Sequence, residues 1–239
     1  MPLPKIDYPI INIKVPSLKK DFRFRPFLVK EEKLLLMAKE SDNASDILLA
    51  IKQIVTNCSL DDNLKIDKLA LFDLEYIFLK LRAVSVDNVV KVAYKDYEDN
   101  KVYDFDINLD KIEVKFPEKN DPKIKISEKT GIMMRYPSAS LYEDNDFLNA
   151  NKEQFFELII RCVDSIFVND EIYEAKEHNK KEIAEFLEGL SVKTFNQIQE
   201  FLINVPKMEH TIEYKNSLGN DRKITLSSLN DFFSLRWVI

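Results

Sequence analysis

The chain has 239 residues, 45% of them hydrophobic and 32% charged, and a formal net charge of −6 at pH 7. That composition supports a buried core and excludes a disordered polymer, and the acidic balance excludes a surface that holds nucleic acid by charge alone. No apolar run approaches the ~20 residues of a membrane-spanning helix, and MPLPKIDYPII lacks the basic-then-apolar order of a secretion signal, so a soluble, cytosolic protein with no membrane partner is expected.

Five of the nine prolines (Pro2, Pro4, Pro9, Pro16, Pro26) fall in the first 26 residues. Proline fixes φ and pushes its predecessor out of the helical region, so this stretch reads as extended. Within it Ile11, Ile13 and Val15 alternate with Asn12 and Lys14, and Phe22 and Phe24 with Arg23 and Arg25, which is strand-like patterning with one apolar face. Residues 1–30 hold seven bases against two acids, a balance of +5, which leaves −11 for the other 209. A basic arm on an acidic body suits docking on an acidic protein surface or on a neighbouring copy; the other reading is an arm lying on its own domain. Phe22, Arg23, Phe24 and Arg25 are the candidate partner-binding residues, because an extended segment with alternating apolar residues can add a strand to a partner's sheet. The arm is expected to be dispensable for folding and decisive for assembly.

Lys30–Lys39 and Ser45–Asn57 read as helices, broken at Asp42 and Asn43. Ile66–Arg82 reads as a third, with Asp67 as N-cap, an Ile66–Leu71 staple, and apolar residues around nearly its whole circumference, the mark of a helix at the centre of a core. The period then shortens. Val90, Val92 and Tyr94, a polar tip at Lys95–Asn100, then Tyr103, Phe105, Ile107 and Leu109 make a hairpin. Ile112–Phe116 is a strand, and Lys123–Ile126 and Ile132–Tyr136 are weaker ones.

From Asn151 the helical period returns. Asn151 with Gln154, Asn179 with Glu182, and Thr194 with Gln197 have capping-box spacing, predicting helices near 152–168, 180–188 and 195–204, the second ended by Gly189. Thr211–Lys215 and Lys223–Leu226 form a second hairpin, followed by a short helix from Ser228. The expected fold is α+β: a mostly helical body with two β-hairpins and an extended N-terminal arm. It divides into the arm (1–29), helices with a hairpin and strands (30–140), and a helical hairpin region with the C-terminal hairpin and short helix (141–239).

Chemistry is harder to find. Three glycines occur, none close to another, where average usage would give ~17, and phosphate-cradling loops need clustered glycines to converge backbone N–H groups on an anion. Cys58 and Cys162 lie far apart in helical patterns and read as buried thiols of a reducing compartment. His178 and His210 have no His or Cys at ligand spacing, so neither metal nor cofactor is expected. Asp104, Asp106, Asn108 and Asp110 match the first positions of a calcium loop, but Leu109 and Lys115 stand where it needs Gly and Glu; on a strand the same spacing faces solvent. Asp73 and Glu75 are acids on the central helix, expected to pair with Arg or Lys or to sit at its edge. No pair among the 41 acids stands out as a glycosidase dyad. Phe22–Arg25 could stack single-stranded bases, yet one such patch on an acidic chain argues for strand addition instead, with no nucleic-acid partner.

The stretches MPLPKIDYPIINIKVPS, RFRPFLVKEEKLLLMAKES and LALFDLEYIFLKLRAVSV resemble the opening of the baseplate protein family of T-even-type bacteriophages, and FLEGLSVKTFNQIQEFLINVPKMEHTIEYK and KITLSSLNDFF are similar to its C-terminal part. RPFLVKEEK and FDLEYIFLKLR carry most weight, since no physical rule demands those orders. The family comprises a baseplate hub subunit and a relative that promotes hub assembly. The resemblance therefore implies a non-enzymatic component of the baseplate hub, built in the host cytoplasm and located in the tail. Its partners would be other hub proteins, with self-association open. The alternatives are a hub-associated, lysozyme-like enzyme of the cell wall, since phage tails carry lysozymes, and a nucleic-acid-binding module. Members often carry Cys-x-x-Cys at their hairpin tips, which suggests a zinc knuckle; here the tips read Lys95–Asn100 and Asn216–Asn220 and hold no cysteine. Ordinary turn chemistry must close them.

Overall fold

The computed structural model describes residues 7–41, 43–118, 120–143 and 152–233. Asp42 and the Asn151 end of one expected capping box lie outside them, as do Pro2 and Pro4. The chain forms two compact units. The first combines Met1–Lys115 with Lys207–Ile239, and the second is Phe116–Pro206. The division in space thus differs from boundaries at 29/30 and 140/141.

In the first unit, β1 (Ile11–Val15) and β2 (Lys20–Phe24) pair antiparallel, Ile13 opposite Phe22. Their alternation buries Ile13, Val15, Phe22 and Phe24 on one face. Helices α1 (Val29–Glu40) and α2 (Ala44–Cys58) follow; the Asn43 side chain caps α2 by accepting from the Ser45 N–H. A 3-10 turn at Ile66–Lys68 precedes α3 (Leu71–Ser85). The helix predicted as Ile66–Arg82 is therefore two elements, and Asp67 caps neither. Phe72, Leu74, Tyr76, Ile77, Phe78, Leu79 and Leu81 are all buried, so α3 is enclosed on most sides, packed by α2, β1 and two of the strands that come later in the chain, at Glu113–Lys115 and Lys207–Lys215. After α3 come β3 (Val89–Lys95) with β4 (Val102–Asn108), then β5 (Glu113–Lys115). On β4, Asp104 and Asp106 are exposed, as the strand reading of that acidic run requires. After the second unit the chain returns as β10 (Lys207–Lys215) and β11 (Asp221–Leu226), giving a sheet ordered β11-β10-β5, and ends with α7 (Leu229–Phe233).

The second unit is one sheet, β6 (Lys123–Lys125), β7 (Thr130–Met134), β8 (Val163–Val168) and β9 (Glu171–Glu174), paired in sequence order and antiparallel. It packs on α4 (Lys152–Cys162), α5 (Lys180–Glu188) and α6 (Val192–Ile203), with Ile132, Met134, Ile159, Val163, Ile183 and Ile198 in the core. Gly131 is needed there: the ring of its cross-strand partner Phe167 lies where a Cβ would stand. Asn179 and Glu182 close the expected capping box reciprocally, at 3.1 and 3.0 Å, whereas α6 is capped by Ser191, not Thr194.

The expectation of a mostly helical body with two β-hairpins beside an extended N-terminal arm is overturned by eleven strands in four sheets among the described residues. Two segments account for it. The arm is a hairpin seated in the core of the first unit. Residues 152–168, expected as one helix, pass from α4 straight into β8 at Val163, where pairing with β7 overrides a continuing apolar pattern. Among the described residues no helix is long and apolar enough to cross a membrane.

Candidate partner interfaces

The four residues singled out on the N-terminal segment take unequal places. Phe24 is fully buried and Phe22 is 7% exposed, so their rings belong to the core. The backbone of β2 is engaged on its second side too: Leu60 N–H donates to Arg23 O and Arg25 N–H to Cys58 O, each at 2.9 Å. Arg25 turns inward and donates to Glu31 at 3.0 and 3.3 Å. Glu31 is wholly buried, and also accepts from the Leu28 N–H, which starts α1. Burial pushes its carboxyl up, but the Arg25 and Leu28 donors outweigh this and hold it below the usual range. Arg23 alone faces solvent, with Asp61 gripped at 2.6 and 2.9 Å, beside an open groove with Leu18, Lys20 and Phe22 on its walls.

Asp73 and Glu75 also differ from each other. Asp73, in the first turn of α3, is fully buried and accepts from the N–H (2.9 Å) and Oγ (2.5 Å) of Ser17, so its partner is a serine of the β1–β2 turn and not an Arg or Lys. Burial raises Glu75 to about 7.

The two hairpin tips of the first unit are tied to one another. Asp96 accepts from Tyr214 Oη at 2.7 Å and Arg222 Nε at 3.1 Å. Glu98 accepts from Asn216 Nδ2 at 2.6 Å and Asn220 Nδ2 at 2.7 Å. Asp99 accepts from Tyr103 Oη at 2.5 Å and from Ser217 N–H and Oγ at 3.0 and 2.8 Å. The Tyr103 and Tyr214 rings pack 4.9 Å apart beneath. Asn216 also accepts from Leu218 N–H and Asn220 N–H within its own turn, and Gly219 supplies the positive φ that turn needs, +85°. The clasp presents Tyr97 and Leu218, 78% and 63% exposed. Asp96 and Asp99 are both held below the ordinary carboxylate range: hydrogen bonds do this at Asp96, and at Asp99 they outweigh the opposing effect of burial.

In the second unit, a cleft of about 280 Å³ opens between the β8–β9 hairpin and α5, lined by Ile166, Val168, Tyr173, Ile183 and Phe186, with His178 and Glu182 at its polar end, 3.4 Å apart. β9 is the last strand of its sheet, and Ile172 on it is 69% exposed. Reading 152–168 as one helix concealed this site. The signal that reveals it is β-branched Val163, Ile166 and Val168 followed by Asn169-Asp170, a two-residue hairpin turn in which Asn169 has φ 55°.

Among the described residues, no group of three or more His, Cys, Asp or Glu side chains is placed to hold a metal ion. Cys58 and Cys162 are buried, their thiols pushed up to about 11 and about 12 by burial.

Comparison with protein-family models matches residues 8–234 to the family described as T4 bacteriophage base plate protein. No curated protein and no solved structure matches the chain.

Proposed function

Because this chain belongs to the T4 bacteriophage base plate protein family, and so is a structural part of the phage tail's baseplate, we propose that it helps to build the baseplate's central hub through protein–protein contacts and without catalysis. The family match over nearly the whole length carries this reading. The hub in particular is suggested by the resemblance that RPFLVKEEK and FDLEYIFLKLR carry, since the family it points to comprises a hub subunit and a relative that promotes hub assembly. Contact rather than chemistry is supported by where the acids stand. Among the described residues three buried acids, Glu31, Asp73 and Asp96, are each engaged in fastening one part of the first unit to another.

A phage lacking this chain tests the proposal. Complementation with the wild-type chain should restore finished tails, and without it assembly should stop before the hub is complete. Quantitative protein analysis of purified tails then separates a resident subunit from a factor that leaves. Normal hubs without the chain would overturn the hub assignment, and cell-wall clearing by the purified protein would overturn the non-catalytic one.

A further inference from the structure

The second unit carries a strand edge, an apolar cleft and an acidic rim at one place, and each bears on the same kind of ligand. In the β8–β9 hairpin, Val168 pairs with Glu171 across the two-residue turn and Ile166 with Tyr173. Such a turn makes Val168–Glu171 a hydrogen-bonded pair, and alternation makes Ile166–Tyr173 the next. The N–H and C=O groups of Glu171 and Tyr173 therefore point to β8, and those of Ile172 and Glu174 point out from the edge. Among the described residues no strand pairs with the outer edge of β9, and an open edge is a template for another strand. β9 reads Glu-Ile-Tyr-Glu: its two glutamates guard it against a like edge but not against a cationic one, and Ile172 is 69% exposed.

Its charge selects the occupant. Pairing β9 with a second copy of itself brings together two Glu-Ile-Tyr-Glu edges, each carrying two glutamates, and their like charges oppose it. Around it, residues 170–186 hold six acids (Asp170, Glu171, Glu174, Glu177, Glu182, Glu185) and three lysines. Each lysine already stands beside a glutamate: Lys176 by Glu174 at 2.5 Å, Lys181 by Glu185 at 3.7 Å, and Lys180 by Glu157. The excess is negative, so a copy is repelled and a cationic segment attracted. The cleft beside the edge, on the face shared by Ile166, Val168 and Tyr173, has room for one apolar side chain.

We propose that the edge of β9 and the adjoining cleft form a strand-addition site for an extended, cationic segment of another baseplate protein. The segment bonds Ile172 and Glu174 through its backbone, sets its basic side chains toward the glutamates and seats one aliphatic side chain between Tyr173 and Phe186. This rests on the reading that the chain works by protein contacts.

The probe is an acetylated, amidated heptapeptide, Lys-Val-Lys-Val-Lys-Val-Lys, added to the full chain at low salt, with the Glu-Val counterpart as control. The Lys-Val peptide should bind, slow amide exchange at Ile172 and Glu174, and weaken as salt rises. Ile172→Lys, at an exposed site, should leave the melting temperature unchanged and weaken binding at least tenfold; E171K/E174K should do the same and bring in the Glu-Val peptide. Equal binding of both peptides by the wild type, protection away from β9, no binding, or a dimer held through β9 would each overturn the site. The same variants expressed in the deletion phage keep the two readings apart. If the wild-type chain restores tails and both variants do so equally, the strand-addition site fails while the hub role stands. If the wild-type chain is not needed for hubs, it is the hub role that fails.

Discussion

Glu31 is a carboxylate with no exposed surface, held by Arg25, and Arg25 itself is 15% exposed. Removing one member of a buried pair leaves the other desolvated and uncompensated, so Arg25→Ala is expected to cost about 3 kcal/mol, measured by urea unfolding at pH 7. A loss below about 1 kcal/mol would return Arg25 to the surface role read from its sequence. Glu75 behaves in the opposite sense. Its carboxyl is raised to about 7, above its unfolded value of 4.5, so the folded state favours the protonated form. Stability from this group is full below about pH 4.5 and is lost as pH rises from there through 7. Glu75→Gln should flatten that decline and gain about 1 kcal/mol or more at pH 8, while changing little at pH 4.5. Thermal melts of both proteins across that range check it. The sequence marked Asp73 and Glu75 together as acids on a buried helix. It could not separate them, because Ser17, the partner that satisfies one of them, lies 56 residues away.

Among the elements, the clasp between hairpin tips is the one whose chemistry most resists reading from order alone. Each turn is legible locally: Asn216 and Gly219 are turn formers. Their partners Asp96, Glu98 and Asp99 lie more than a hundred positions earlier. The clasp is made of side-chain and backbone hydrogen bonds, so a strong chelator is expected to leave the thermal melt unchanged, and a drop in melting temperature would show a metal at work. Asn216→Ala removes a buried side chain, 5% exposed, that serves both its own turn and Glu98, and should cost about 2 kcal/mol. Acid should release the clasp late. With Asp96 and Asp99 depressed, their contribution is complete above the ordinary aspartate value of 3.8 and falls away only as pH drops through their lowered values. Where local signals coincided with structure they were complete within a few residues, as in the reciprocal cap of Asn179 and Glu182. They failed at β8, whose Val163, Ile166 and Phe167 suit a helix face or a strand equally until β7 supplies a ladder.

For the whole molecule, the misreading of the N-terminal segment is instructive because its strands were legible and its position was not. Prolines and a +5 balance describe an extended, basic stretch, and nothing local says that Val15 and Phe24 will have no exposed surface. The structure reverses the expected outcome of removing it. Deleting residues 1–25 takes away both strands of the hairpin together with Ser17, the donor to Asp73, and Arg25, the cation paired with Glu31. The truncated chain should lose its cooperative melt and aggregate. Calorimetry and size-exclusion chromatography check this. A soluble truncation melting near the intact protein would restore the picture of a detachable arm.

The last sheet of the first unit pairs β5 with β10, whose residues Lys115 and Lys207 face each other although 91 residues, Phe116–Pro206, intervene. On a ribosome this order has a temporal meaning. All four strands of the second unit are made before β10 and β11, so its sheet can form first, whereas the first unit must wait, its apolar helix α3 made early and its last sheet missing. A chain ending at Pro206 thus contains the whole β9 sheet but lacks the hairpin that completes the clasp. The strand-addition site proposed at β9 can therefore form before the clasp is made.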